Sequence, residues 1–225
     1  MKKIILSTLV VGAAMQYASF AQVKKGWQPL FDGKTTNGWH AYLKSDAGAW
    51  KVVDGSLELD PKAPGQADLI TDGEYENFEL SVDWKIAEGG NSGIIFGVHE
   101  DSSLGATYLS GIEMQVLDNE KAEDNKKANH LAGSLYDLKA APADAAKPAG
   151  QWNIAKIRKN NGQLTFWLNN KEVINVQIGS AEWTELMNNS KFKTWKDFAK
   201  YPKGHIALQS HGAVVDYKNI KIKQL

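Results

Sequence analysis

Gly111-Ile112-Glu113-Met114-Gln115-Val116-Leu117-Asp118-Asn119 alternates Ile112, Met114 and Val116 with Glu113, Gln115 and Leu117. A period of two marks a strand with one apolar and one partly polar face. Glu113 would then stand on a rigid surface beside an amide. Antiparallel sheets often leave one side wet. At this point the polar face can be read either as a site or as solvated surface.

The flanking sequence repeats the pattern. Residues 91–99 put Asn91, Gly93, Ile95, Gly97 and His99 on one face, and glycine inside a strand calls for a bulge or a close approach. Residues 78–86 alternate cleanly, with Glu79, Ser81, Asp83 and Lys85 on the polar side. Trp50-Lys51-Val52-Val53 and Ser56-Leu57-Glu58-Leu59 flank Asp54-Gly55, a two-residue hairpin signal. Short strands are also predicted at 68–71, 152–159, 163–168, 173–178, 205–209 and 214–222. Residues 119–150 read as a long polar loop broken only at 131–138, and such a loop is functional or disordered. Residues 181–200 have a helical pattern in Trp183, Leu186, Met187, Phe192, Trp195 and Phe198, split in two by Asn188-Asn189. Many short strands between turns predict an all-β fold, an antiparallel β-sandwich or jelly roll with a few short helices.

The 225 residues begin with Met1-Lys2-Lys3, an apolar run and Ser19-Phe20-Ala21. This reads as a secretory signal peptide over residues 1–21, too short to anchor in a membrane. A single domain over 22–225 is expected, secreted, with the periplasm as its location. Without Lys2 and Lys3 the basic count falls from 26 to 24 against 26 acidic residues. A nearly neutral chain has no electrostatic footprint for nucleic acid. With no cysteine, disulfides, thiolate metal sites and thiol catalysis are excluded.

Several strands thus carry Glu, Gln, Asn, Asp and His opposite their apolar side chains. Beyond Gly204, His205, Ala207, Gln209 and His211 share one side. A curved sandwich with a polar concave face is a platform for a sugar, and the eight tryptophans supply candidate rings, although most suit the core. His205, His211, His130 and Tyr136 each have a plain reading as surface or loop residues. Phosphate-binding loops, helical histidine pairs and nucleophile elbows are missing. Retaining glycosidases need two carboxylates about 5–5.5 Å apart. Two residues from Glu113 stands Gln115, and Asp118 has the wrong parity, which speaks against that chemistry on this strand.

An ordered set of motifs resembles the 3-keto-disaccharide hydrolase family. It comprises Leu30-Phe31-Asp32-Gly33 with Gly38-Trp39, Trp84 with Gly90-Asn91-Ser92-Gly93-Ile94, and the Glu113 strand. It continues with Gly133-Ser134-Leu135-Tyr136-Asp137, Pro148-Ala149-Gly150-Gln151-Trp152-Asn153 and Gly204-His205-Ile206-Ala207-Leu208-Gln209-Ser210-His211-Gly212. Asn169-Asn170 and Tyr217-Lys218-Asn219-Ile220 depart from the family's usual Asn-Gly and Phe-Arg-Asn-Ile.

The resemblance implies a concanavalin A-like jelly roll acting on glycosides oxidised to a ketone at C3. Such a ketone acidifies the C2 hydrogen, so one base could drive elimination of the C1 substituent, followed by water addition. On this reading Glu113 is the base, and His130 or Tyr136 is the acid or enolate stabiliser. Asp83, Asn91, Gln115, Trp152, Gln209 and His211 bind the sugar. No cofactor is predicted; a divalent metal is compatible with the family, but no ligand set is identified. The expected partner is a carbohydrate, with a non-catalytic carbohydrate-binding domain or a structural jelly roll as the alternatives.

Overall fold

Strands form wherever the alternation persists. The computed structural model describes residues 26–225, so the predicted signal peptide lies outside the described residues. Among these, the first seven strands are β1 (Gln28–Pro29), β2 (Trp39–Ala41), β3 (Trp50–Val53), β4 (Ser56–Leu59), β5 (Leu69–Thr71), β6 (Phe78–Ile86) and β7 (Asn91–Val98). Six more follow: β8 (Ile112–Leu117), β9 (Asn153–Asn160), β10 (Gln163–Leu168), β11 (Lys171–Gln177), β12 (His205–Leu208) and β13 (Val215–Gln224).

The strands make two antiparallel sheets. The larger runs β11-β10-β9-β6-β13-β4-β3, with β1 also on β13; the smaller runs β2-β5-β12-β7-β8. The inner faces meet in one apolar core. From the larger sheet come Phe78, Leu80, Val82, Trp84 and Ile86 of β6; from the smaller come Ile94, Phe96, Met114, Val116, Ile206 and Leu208. Phe96 packs edge-on against Phe78 and Phe166, with centroids 5.9 and 6.0 Å away. The outer face of the larger sheet is polar: Glu79 lies within 4.0 Å of Lys156, Arg158 and Lys223. Such exposed pairs add little stability and keep that face wet.

The smaller sheet is different on its outer side. At one end Tyr42, Ile70, Ile95, Val98 and Ala207 form a second apolar cluster. At the other end lie the polar residues of β7, β8 and the segment after β12. The register of β7 slips against β12 between His205 and Ile206. Gly97, at φ 70°, is the extra residue of this bulge, a backbone conformation that glycine adopts freely.

The segment 119–150 is ordered, and its polar side chains do the ordering. Asn119 Oδ1 accepts the Ala132 N–H at 2.8 Å, and Ser134 Oγ accepts that of Ala141 at 3.0 Å. Residues 133–136 then run beside β8: Gln115 N donates to Ser134 O, Gly133 N to Gln115 O and Tyr136 N to Glu113 O, at 2.9–3.1 Å. This covers an edge that would otherwise expose unpaired backbone groups. The helical stretch divides as read, into α1 (Ala181–Asn188) and a 3-10 turn at Lys191–Thr194. Ser180 and Ser190 cap the two pieces by accepting the N–H groups of Trp183 and Phe192. No helix among the described residues is long and apolar enough to cross a membrane.

Truncating the ring at the centre of the core should be costly. Phe96→Ala is expected to lose about 3–5 kcal/mol of unfolding free energy, read as a lower urea midpoint at unchanged slope.

Candidate active site

Glu113 sits on β8 opposite Ile95 of β7, and its side chain leans diagonally over Gly93. A Cβ at Gly93 would lie 2.7 Å from the Glu113 carboxyl carbon and overlap its Oε1. The glycine in this strand therefore makes room for a carboxyl group. Glu113 is 6% exposed, and no side chain among the described residues hydrogen-bonds its carboxyl. Burial pushes its pKa up to about 8; Lys191 pulls it down, while Asp68 and Asp124 add to the rise. A carboxyl poised near neutrality in a cleft is the mark of an acid or base in chemistry.

Above it opens a cavity of about 350 Å³, within the range of small-ligand sites. Asn91, Gln115, Gln209 and His211 supply its polar wall, and Tyr108, Tyr136, Phe192 and Trp195 its aromatic one, with Lys191 between them. Phe192 stacks on Phe198 at 3.8 Å and meets Trp195 edge-on at 5.0 Å. The Asn91 Oδ1 is buried with no hydrogen-bond partner among the described residues, an acceptor presented without its bond. A second cavity, about 630 Å³, shares Asn91, Tyr136 and His211 with the first and adds Glu123 and Asp124.

Tyr136 stands where the two cavities meet, placed by its backbone bond to Glu113. Its hydroxyl donates to Asp124 Oδ2 at 2.9 Å. Asp124 Oδ1 bonds His130 Nδ1 at 2.7 Å, and His130 Nε2 bonds Asp137 Oδ1 at 2.8 Å. Asp137 Oδ2 accepts the Lys191 backbone N–H at 2.8 Å. Burial, then the Asp124 bond, drive the Tyr136 phenol far above its ordinary pKa. Burial works to raise the Asp137 carboxyl, but the bonds from His130 and the Lys191 N–H outweigh it and hold it below the usual range.

Of the residues predicted from sequence, the fold brings Glu113, Tyr136, Asn91, Gln115, Gln209 and His211 around one cavity. His130 is buried behind Tyr136, with ring centroids 4.5 Å apart, so it supports the site and does not line it. Asp83 and Trp152 are corrections. Asp83 belongs to the outer face of the larger sheet, where it accepts from Asn219 at 2.6 Å. Trp152 carries the Lys218 and Lys85 ammoniums over its ring at 3.8 and 5.1 Å. Parity had shown which residues share a face of β6, but β6 is in the other sheet.

Tyr108, Lys191 and Asp124 were not anticipated. The aromatic spacing that read as helix, Phe192 to Trp195 to Phe198, was the available signal for that wall. A further cavity of about 250 Å³, floored by Phe96 and Ile112, lies near Lys159. The Lys159 ammonium there donates to the Glu76 and Pro202 carbonyls at 2.9 and 2.6 Å, a structural strut. Among the described residues, no group of three or more His, Cys, Asp or Glu is placed to hold a metal ion.

Comparison with known proteins bears on the family and the fold. A family model described as the 3-keto-alpha-glucoside-1,2-lyase-like domain matches residues 26–223. A protein of Bacteroides thetaiotaomicron named 3-keto-disaccharide hydrolase is 35% identical over 228 residues, covering 89% of this chain and 79% of that protein. A crystal structure described as a candidate glycosyl hydrolase, from Parabacteroides distasonis, superposes with a TM-score of 0.83 at 29% identity, covering 89% of this chain and 94% of that one. A Bacillus subtilis protein with a galectin-like fold shares the architecture at a TM-score of 0.55 and 16% identity, over 89% of this chain and 97% of that one. The fold is accordingly of the concanavalin-like β-sandwich kind.

The raised Glu113 pKa has a consequence for stability. The folded state holds this proton more tightly than the unfolded chain, where glutamate titrates near about 4.3. Its contribution is therefore complete below about pH 4 and is lost as pH rises towards about 8. Glu113→Gln should gain stability relative to the parent between pH 5 and 8.5, by a few kcal/mol at roughly 1.4 kcal/mol per pKa unit. Urea midpoints at the two pH values measure it; a gap that does not change with pH would contradict a buried, raised carboxyl.

Proposed function

The chain belongs to the 3-keto-α-glucoside-1,2-lyase-like family, and from that premise we propose that it cleaves glycosides whose glucose-type ring carries a ketone at C3. The observation that carries this reading is Glu113, a lone carboxyl on its strand, buried and raised to about 8 at the floor of a sugar-sized cavity. An ordinary glycoside would require a second carboxylate on the opposite side of the bond. A C3 ketone removes that need, because it makes the C2 hydrogen acidic.

Glu113 takes the C2 proton. The C–H electron pair forms the C2–C3 double bond, and the carbonyl pair moves to O3 as an enolate. Re-forming the ketone then makes the C1–C2 double bond and expels the glycosidic oxygen with its electron pair. Tyr136, at the boundary of the two cavities, gives that oxygen a proton. A phenol held protonated by burial and by Asp124 still carries its proton at the pH where Glu113 is ionised, so it can donate to the leaving oxygen as that oxygen becomes an alkoxide. Addition of water, hydroxyl to C1 and proton to C2, completes a net hydrolysis. Asn91, Gln115, Gln209 and His211 bind ring hydroxyls, and Trp195 and Tyr108 cover the apolar face of the ring. His130 acts through Asp124 and is a positioning residue.

The basic and apolar opening of the sequence supports export, for which an intact mass beginning at Gln22 is the check. The catalytic reading predicts that Glu113→Gln lowers kcat on a 3-keto-disaccharide by about 10²-fold or more while sugar binding persists. As a base, Glu113 must be ionised, so kcat/KM should rise with pH through about 8. A Glu113→Gln variant with full turnover refutes the assignment, and a profile falling over that range would make Glu113 an acid. Binding without product release, in the parent protein, would instead identify a carbohydrate-binding domain.

A further inference from the structure

Removal of the C2 proton leaves a negative charge on O3, and Glu113 cannot stabilise it. Something cationic, or a set of fixed donors, must face that oxygen. Resting on the reading above, the geometry points to Lys191 as the catalytic residue that takes this charge.

Three observations carry the assignment. First, Lys191 lines the same cavity as Glu113 and is, among the described residues, the lysine or arginine that does so. Second, its ammonium is held by rings and makes no salt bridge among the described residues. It lies 4.3 Å from the centroid of Tyr136, 5.3 Å from Phe192 and 5.8 Å from Trp195. Contact with aromatic faces orients a cation without consuming its N–H donors, so all three remain for a substrate oxygen. Third, its main chain is fixed where the site needs it. The Lys191 N–H bonds Asp137 Oδ2 at 2.8 Å, and Asp137 Oδ1 bonds His130. His130 in turn holds Asp124, the partner of Tyr136. One buried histidine thus locks the lysine and the tyrosine relative to each other.

The other candidate, His211, also borders the second cavity, where the departing sugar would lie, and has no comparable anchor among the described residues. A solvated surface role for Lys191, with its stem resting on rings, is the bland alternative and makes a different prediction. In the assigned role, the developing O3 anion forms a charge-assisted hydrogen bond with the ammonium as the C–H bond breaks. The bond is lost again when the C3 ketone re-forms; no proton need be transferred from Lys191.

The test uses the whole protein with two readouts. One is cleavage of a 3-keto-disaccharide. The other is exchange of the C2 hydrogen of 3-keto-glucose for deuterium in D2O, followed by NMR, which reports enolate formation without bond cleavage. Lys191→Met, which keeps the stem against the rings, is expected to lower kcat and the exchange rate together by about 10²–10³-fold. KM should change less than about fivefold, and Lys191→Arg should restore part of the loss. Lys191 is solvent-exposed, and a melting curve for Lys191→Met and for a second variant, Lys191→Gln, confirms folding. Turnover within a few-fold of the parent, or a raised KM with kcat unchanged, overturns the assignment. Full exchange in Glu113→Gln would instead overturn the functional reading on which it rests.

Discussion

Placing a carboxyl group where a strand neighbour would ordinarily put a methyl is the constraint on which the site depends. Glu113 occupies the space above Gly93 on the outer side of the smaller sheet, at the floor of a cavity bordered by Asn91, Gln115, Tyr136 and Lys191. Burial of this kind is costly for an ion and tolerable for a neutral acid. The same geometry therefore produces both the raised pKa and the strong base that appears once the proton is lost. Neither β7 nor β8 alone accounts for it; the group is created by their register, with Gly93 beside Gln115 and Glu113 beside Ile95.

Around that carboxyl the structure uses irregular backbone held by polar side chains. The strand-like run at residues 133–136 is fastened to β8, which delivers Tyr136 to the cavity without any helix or hairpin to carry it. Behind it, the chain Tyr136–Asp124–His130–Asp137–Lys191 crosses three separate segments. A network of this sort is stiff when every member is satisfied and fragile otherwise. Asp137 even adopts a left-handed φ of 55°, a conformation aspartate tolerates better than most residues. Local strain of this sort is common where a side chain must be aimed. The sandwich core, with its interlocked phenylalanines, supplies the stability against which these polar commitments are made.

The two joined cavities also separate two kinds of chemistry. Aromatic rings and Lys191 line the one that holds Glu113; Glu123, Asp124 and glycines border the other. Tyr136 stands between them, in reach of whatever bond crosses the boundary. In the proposed reaction, proton removal and proton delivery fall to groups with different environments: one a carboxyl raised by burial, the other a phenol raised by burial and a carboxylate neighbour. Pushing the two groups apart in acidity keeps their roles from being exchanged.

Sequence alone carried the all-β architecture, because alternation, Asp-Gly and Asn-Asn turns are local and a two-residue period survives any strand order. It also singled out Glu113 and its partners Gln115, Asn91, Gln209 and His211, which share parity within their strands. It could not say which sheet each strand joins, so Asp83 and Trp152 looked equivalent to the true cavity residues yet stand on the opposite surface. It read residues 119–150 as a loop, since the bonds that order them, from Asn119, Ser134 and the edge of β8, are long-range. Lys191 was hidden for the same reason: its anchor is 54 residues away along the chain, and the rings beneath it were legible only as helical spacing. Periodicity determined which side chains share a face, whereas the pairing of distant strands and segments decided which faces enclose a site.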